Sequence, residues 1–202
     1  PPKIIMLSIL LNVNFMLFVS IIILNIKELF MKNKHNSIYL QELNIDDVSK
    51  SYVKWLNDYS VVRFTEQKFY KHTIKSVKKF VIEKKRKKDE FLLGIFFSNK
   101  KTHVGNIKLG PINFKHKYAE ISYFIGEKKF QNLGLGSLAI KKVCKIAKTQ
   151  YKIKKLIAGV YEKNIPSKKV LEKNKFLLEG LILKKYLFEG KRISELIYGK
   201  LL

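Results

Sequence analysis

Residues 128–148 read KKFQNLGLGSLAIKKVCKIAK, and Gly134 and Gly136 stand there directly before an apolar pattern of helical period. The chain has only ten glycines, so two of them in one turn indicate a backbone constraint. Glycine has no Cβ, and backbone N–H groups at such a turn can converge on one ligand. The N-terminus of the following helix adds partial positive charge. The stretch predicts a pyrophosphate-binding loop, with an ordinary glycine-containing helix start as the alternative.

Composition and charge set limits on the class of protein. The chain has 202 residues, 47% of them hydrophobic, which is enough for one domain with a core. Its net charge of +25 is carried almost entirely by Lys, and it would attract anionic partners. An A/T-rich genome, which favours Lys, Ile and Asn, would give the same bias. One cysteine excludes an internal disulfide, and with only four His residues no metal site is expected.

The N-terminal stretch Ile4–Ile26 carries no charge over 23 residues. A helix of that length is long enough to span a bilayer, and the lysines after it would keep the remainder in the cytoplasm. Met31 is a natural start for the remaining chain. We therefore expect residues 1–30 to be either a membrane anchor or an extension outside the working protein. Residues 31–202 are expected to form the functional domain in the cytoplasm.

The remainder of the chain alternates between strand and helix patterns. Asp46 and Asp47 are expected to open the first helix, and Thr73 to cap the second. Three apolar segments separated by short turns then predict an antiparallel meander, whose second strand ends at Gly110. The glycine loop, a helix of about 15 residues, a buried-type strand, a short helix and two final strands come next. The pattern predicts one α+β domain with a mostly antiparallel central sheet flanked by helices, crossed over at the glycine loop.

Four elements in order carry a resemblance to a known family. They are WLNDYSVVRF, AEISYFIGE, the motif Gln-x-x-Gly-x-Gly, and AGVYEKNIPSKKVLEKNKFLLEG. From Ser37 to the C-terminus the chain resembles the GNAT superfamily of N-acetyltransferases. It looks closest to the branch that contains ribosomal-protein N-terminal, spermidine and nucleotide-sugar acetyltransferases. The resemblance implies the GNAT fold, with acetyl-CoA as the cosubstrate.

The resemblance also implies residues that bind acetyl-CoA. The loop amides would hold the pyrophosphate, and they belong to Gln131, Asn132, Leu133, Gly134, Leu135, Gly136 and Ser137. Backbone groups of Phe124 and Ile125 would contact the pantetheine and polarise the thioester carbonyl. Asn164 matches an Asn that commonly contacts the cofactor arm.

The reaction requires a base for the attacking amine and an acid for the leaving thiolate. Glu120 is the first candidate base, although an exposed carboxylate at a strand end explains it equally well. The tyrosine that many relatives use as acid is replaced by Leu171, which leaves Ser167 as a candidate. A serine in the first turn of a helix also caps it, so that structural role stays open. Tyr186 and Tyr161 are further candidates.

The acceptor pocket is expected at Asn57, Arg63 and Phe64. The net charge favours an acceptor that is anionic overall, and a nucleotide-linked amino sugar is our first expectation. A protein N-terminus and a polyamine are the alternatives. A basic nucleic-acid-binding protein is the alternative from another class, although specific nucleic-acid motifs are missing. A GNAT fold that binds acetyl-CoA without turnover stays open, as does the choice between monomer and homodimer.

Overall fold

The computed structural model describes residues 38–97 and 102–202. The apolar segment Ile4–Ile26 lies outside these residues, so the predicted anchor and the boundary at residue 31 stay predictions. Within the described ranges, no helix is both long and apolar enough to cross a membrane.

Seven strands and five α-helices make up the described domain. The strands are β1 (Ile38–Glu42), β2 (Phe91–Phe97), β3 (Thr102–Asn113), β4 (Tyr118–Ile125), β5 (Lys155–Tyr161), β6 (Leu177–Phe188) and β7 (Lys191–Leu201). The helices are α1 (Lys50–Leu56), α2 (Tyr59–Val62), α3 (Ile74–Arg86), α4 (Leu135–Thr149) and α5 (Ile165–Lys173).

All seven strands form one sheet in the order β1-β2-β3-β4-β5-β7-β6. The strands β1 to β4 are an antiparallel meander, and β6 and β7 are an antiparallel pair beside β5. Among these described strands only β4 and β5 run parallel, and α4 is the crossover between them. The α+β fold with a mostly antiparallel sheet and a crossover at the glycine loop is therefore confirmed.

Helices cover the two faces of the sheet and create two cores. On one face, α4 packs its apolar side into a cluster that includes Ile140 and Val143, both fully buried. On the other face, α1 and α3 bury Tyr52, Trp55 and Val77 against β2. The predicted cap at Thr73 is confirmed, because its hydroxyl accepts a hydrogen bond from the Ser76 amide. The 15-residue length of α4 is also as predicted.

Two predicted boundaries are wrong for local reasons. Asp46 and Asp47 do not open α1; they lie in a 3₁₀ turn, where the Asp47 carboxylate accepts a hydrogen bond from the Asn44 amide at 2.8 Å. Helix α1 begins after Ser49, whose hydroxyl accepts from the Tyr52 amide. Strand β3 does not end at Gly110, because a bulge next to it absorbs the irregularity and pairing resumes at Ile112.

The packing of α4 against one face of the sheet predicts a large loss of stability when a buried side chain at the centre of the helix is shortened. Ile140→Ala should lower the free energy of unfolding by about 2–5 kcal/mol, because it leaves a cavity in the core. Lys141→Ala, an exposed change on the same helix, is the control and should have little effect. Urea denaturation measures both, and equal midpoints for the two variants would contradict the packing described here.

Candidate functional site

The parallel ladder between β4 and β5 is very short, and this opens the sheet. Its register pairs Tyr118 with Lys155, Ala119 with Leu156 and Glu120 with Ile157, and the described strands form no later pair. Both strands nevertheless continue, β4 to Ile125 and β5 to Tyr161. Beyond Glu120 the two strands therefore separate. The edge of β4 that faces β5 has no partner there among the seven strands, whereas its other edge stays paired with β3. Such a gap is suited to a ligand that hydrogen-bonds with exposed strand backbone.

A cavity of about 700 Å³ reaches into this gap. It is lined from the α1 and α3 face by Phe124 and from the α4 face by Tyr123, so it extends to both sides of the sheet. Five of the predicted site residues line it: Phe64, Phe124, Asn164, Ser167 and Tyr186. The other predicted residues do not line this cavity: Asn57, Arg63, Glu120, Ile125 and residues 131–137.

Gly134 is the N-cap of α4 and has a left-handed backbone. Its φ of +77° is a conformation that residues with a Cβ rarely adopt, and the space around its Cβ position is open. Its lack of a side chain also means that no side-chain cap occupies the first amides of α4. The first α-helical hydrogen bond runs from Leu138 to the Gly134 carbonyl at 3.1 Å. The amides before Leu138 therefore point out of the helix end, where they can donate to an external acceptor.

Gly136 leaves space for a different neighbour within this chain, the ring of Tyr123. A Cβ at position 136 would lie 2.9 Å from Tyr123 Cε2. We expected both glycines to clear the backbone for a phosphate. In the structure the two glycines have different roles: Gly134 allows the left-handed turn, and Gly136 leaves room for the Tyr123 side chain of β4.

Side-chain hydrogen bonds hold the loop and α4 in place. Gln131 Nε2 donates to the Ile125 carbonyl at 2.8 Å and thereby attaches the loop to the end of β4. Ser137 Oγ accepts from Asn174 Nδ2 at 2.9 Å, which connects the start of α4 with the end of α5. The side chains of these two residues thus support the loop, and the contact of their amides with a pyrophosphate stays a prediction.

The N-terminus of α5 brings Ser167 close to Tyr123. The helix is capped by Asn164, whose Oδ1 accepts from the Ser167 amide at 3.2 Å. The Ser167 hydroxyl is therefore not the cap, and its Oγ instead lies 3.5 Å from the Tyr123 hydroxyl. Burial raises the pKa of the Tyr123 phenol, and the contact with Ser167 offsets part of that rise. Leu171 is 1% exposed and places no polar atom in the cavity.

Two tyrosines at another wall of the cavity are hydrogen-bonded to carboxylates. The rings of Tyr161 and Tyr186 stack with centroids 3.8 Å apart. The Tyr161 hydroxyl donates to Glu66 at 2.8 Å, and the Tyr186 hydroxyl donates to Glu195. Burial, together with the neighbouring carboxylates, raises the pKa of both tyrosines far above the usual range. Glu195 is 5% exposed, and Lys185 Nζ lies 2.5 Å from it.

Aromatic rings and one ammonium group complete this wall. Phe64 stacks on Phe188 with centroids 5.1 Å apart and lies 5.9 Å from Tyr161. The Lys68 ammonium lies 4.6 Å from the Tyr161 ring centroid, and burial lowers its pKa. The wall therefore binds a cation of the protein itself through ring faces and an adjacent carboxylate, Glu66.

The wall formed by β3 presents Asn106 and Lys108. Asn106 is 3% exposed, and its Nδ2 has no hydrogen-bond partner within the described part of the chain. Its Oδ1 lies 2.7 Å from His103 Nε2. Burial lowers the pKa of Lys108. Both side chains offer donors to the cavity.

Three other predicted residues lie outside the cavity lining. Glu120 is exposed and is the last residue of β4 that pairs with β5, whereas the pairing of β4 with β3 continues to Ile125. The Asn57 side-chain amide donates to the carbonyls of Val53 and His72 and accepts from the His72 amide, each at 2.9 Å. These hydrogen bonds join the end of α1 to the segment before α3. The Arg63 guanidinium lies 4.8 Å from the Phe64 ring centroid.

Several cavity residues were missed by the sequence reasoning. They are Tyr123 and Glu66, which line the cavity, and Glu195, which accepts from Tyr186 behind it. Tyr123 had a usable signal, because side chains alternate along a strand and Phe124 was already assigned to the site. Glu195 had no such signal: its carboxylate fills the space beside Gly159 of the neighbouring strand, where a Cβ would lie 2.2 Å from Glu195 Oε1. Such a contact between β5 and β7 becomes visible only in the folded sheet.

Comparisons with known proteins agree with this architecture. The family described as "Acetyltransferase (GNAT) domain" matches residues 37–177. A comparison with curated proteins gives no significant sequence match.

Three solved structures illustrate the shared fold. A spermidine N-acetyltransferase from Vibrio cholerae, in complex with CoA and spermine, is 17% identical with a TM-score of 0.73, covering 81% of this chain and 95% of that one. A ribosomal L7/L12 α-N-protein acetyltransferase in complex with coenzyme A is 17% identical with a TM-score of 0.74, covering 82% and 94%. A GNAT-family acetyltransferase from Bacillus anthracis is 21% identical with a TM-score of 0.70, covering 81% and 94%.

The packing of Gly136 against Tyr123 predicts a change of sign in a double-mutant cycle. Gly136→Ala should cost about 1–3 kcal/mol of stability, because the ring must move away from the new methyl group. In a Tyr123→Ala background the same change should stabilise the protein by about 0.5–1 kcal/mol, since alanine is the better helix residue. Urea denaturation of the four proteins gives both values. Equal effects of Gly136→Ala in the two backgrounds would contradict the contact.

Proposed function

Because the family match extends over more than half of the chain, the protein belongs to the GNAT acetyltransferase family, and we propose that it is an acetyl-CoA-dependent N-acetyltransferase of primary amines. The observation that carries the proposal is the gap between β4 and β5 with an uncapped helix N-terminus beside it. The family assignment favours this function over that of a basic nucleic-acid-binding protein.

The described residues fit acetyl-CoA as the cosubstrate. Uncapped amides at the start of α4 suit a pyrophosphate, because they combine hydrogen-bond donors with the positive end of the helix dipole. The edge of β4 that faces β5 has no strand partner near Phe124, and this suits an amide-containing arm and a thioester carbonyl. Ile125 stays a predicted contact, with its carbonyl already accepting a hydrogen bond from Gln131 Nε2. Asn164 lies at the same gap. When bound, the cosubstrate supplies the activated acetyl group, and these residues would orient it.

Catalytic roles for Glu120, Ser167 and Tyr186 stay part of the proposal. Glu120 is on the strand that forms the gap and would remove the proton from the attacking amine, through water if its distance requires it. Ser167 lines the cavity and has a hydroxyl that does not serve as a cap. The Tyr186 hydroxyl donates to Glu195, which supports a role at the acceptor end rather than free proton donation.

Charge and aromatic rings in the cavity support an acceptor that enters as an ammonium ion. Glu66 and the stacked rings of Tyr161 and Tyr186 form a surface that suits a cation, and the Lys68 ammonium, which lies over the Tyr161 ring, would have to move aside for an acceptor. Two of the proteins with similar solved structures are a spermidine N-acetyltransferase and a ribosomal L7/L12 α-N-protein acetyltransferase. The nucleotide-linked amino sugar was expected from net charge, and it stays a prediction; the observation in its favour is that Lys71, Lys84 and Lys108 also line the cavity. Phe64 lies at this wall, whereas Asn57 and Arg63 stay predicted acceptor residues.

The proposed pyrophosphate loop predicts a loss of affinity confined to one of two matched glycines. Gly134 and Gly190 have φ of +77° and +76°, and both have open space around the Cβ position. Valine at either position should cost similar backbone strain, about 1–3 kcal/mol. Calorimetric titration should show acetyl-CoA binding to the unsubstituted chain and to Gly190→Val, and at least about tenfold weaker binding to Gly134→Val. Equal affinities of the two variants would refute the loop assignment.

Turnover is tested by release of the CoA thiol with three acceptors: spermidine, a peptide with a free N-terminus and a nucleotide-linked amino sugar. We expect turnover with at least one, and Glu120→Gln should lower its kcat by about 10²-fold if this carboxylate is the base. Glu42→Gln, an exposed change on β1, is the control. Acetyl-CoA binding without turnover of any amine would instead support a GNAT fold that binds but does not react. An unchanged kcat in Glu120→Gln would assign the base elsewhere.

A further inference from the structure

The leaving thiolate has no proton donor at the position where many relatives carry one. Leu171 stands at that position, is almost fully buried, and has no proton to give. Ser167, Asn164 and Leu171 are the residues at and within α5 that line the cavity. An amide and an aliphatic serine hydroxyl are much weaker acids than a phenol, so a tyrosine from another element would be the better donor.

We propose that Tyr123 of β4 is the proton donor to the leaving thiolate, with the Ser167 hydroxyl as its positioning partner. This inference rests on the proposed acetyltransferase function and names a residue within the same site. It assigns to a strand the phenol that relatives supply from the helix after β5.

The position of Tyr123 is fixed from three sides. Side chains alternate along β4, so Tyr123 points to the α4 and α5 face while Phe124 points to the other face. Its ring edge occupies the space left by Gly136 at the start of α4. Its hydroxyl extends past that helix to within 3.5 Å of Ser167 Oγ at the start of α5. The phenol thus lies in the gap between β4 and β5, next to the helix end that would bind the pyrophosphate.

The hydroxyl of Tyr123 is also the one best suited to donation among the tyrosines at the gap. Tyr161 and Tyr186 direct their protons to Glu66 and Glu195. Tyr123 instead contacts a neutral hydroxyl that can itself donate or accept. The Tyr123 phenol is protonated at neutral pH, and no carboxylate accepts its proton; burial raises its pKa and weakens it as an acid, and the Ser167 contact offsets part of that rise.

The proton balance of the step is complete without another reagent. The amine nitrogen forms a bond with the acetyl carbon, and the C–S bond of the thioester breaks with its electron pair passing to sulfur. Sulfur takes the proton from the Tyr123 hydroxyl. An amine that enters as an ammonium ion gives up two protons in the reaction: one restores the Tyr123 phenolate through Ser167, and the other leaves to solvent. The products are an N-acetyl amine and the CoA thiol, with Tyr123 returned to its starting form.

Kinetics of matched tyrosine variants test the assignment. Tyr123→Phe should lower kcat by about 10²-fold or more with the acceptor that gives the highest rate, while the affinity for acetyl-CoA stays within a few-fold. Tyr118→Phe, on the same strand but outside the cavity, should leave both unchanged. Ser167→Ala should lower kcat less than Tyr123→Phe does. A kcat for Tyr123→Phe equal to that of Tyr118→Phe would overturn the proposal.

A readout without turnover separates this inference from the proposed function. With 3-fluorotyrosine in place of Tyr123, the ¹⁹F resonance should shift differently on adding CoA than on adding desulfo-CoA, which lacks the sulfur. The same label in place of Tyr118 should not distinguish the two. If both ligands bind but shift the Tyr123 label equally, the proton-donor assignment is wrong and the cofactor assignment stands. If neither ligand binds the folded chain, the proposed function and this inference both fail.

Discussion

The early end of the parallel ladder between β4 and β5 is the constraint on which the rest of the site depends. A sheet that stayed paired to Ile125 would leave no gap and no free strand backbone. The crossover through α4 then places a helix N-terminus at the mouth of this gap. Strand separation and helix placement together create one opening in which an anionic end and a reactive end of the same ligand can be held apart.

The two glycines at the start of α4 connect the binding loop with the chemistry. Gly134 allows the left-handed turn that leaves the α4 amides uncapped. Gly136 admits the Tyr123 ring beneath the same helix end. One short loop would therefore provide donors for the proposed phosphate and, on its inner side, leaves room for the ring of a tyrosine from the neighbouring strand. Binding and proton donation would be coupled through the position of α4.

The sequence was sufficient to predict features that depend on local patterns. The meander, the α4 crossover and the cap at Thr73 result from periodicity and turn residues within short windows. The partners of Tyr123, Tyr161 and Glu195 could not be predicted in this way, because they come from strands and helices far apart in the chain. Net charge was equally uninformative about the acceptor wall, since a cavity presents a few specific groups rather than the sum over the surface.

The most direct test of the proposed site is a crystal structure of the full chain with CoA. We expect the pyrophosphate on the amides between Gly134 and Ser137, the pantetheine arm between β4 and β5, and the sulfur within about 3.5 Å of the Tyr123 hydroxyl. CoA bound outside the gap would contradict the proposed site. CoA within the gap, but with its sulfur directed away from Tyr123, would contradict the chemistry assigned to that residue.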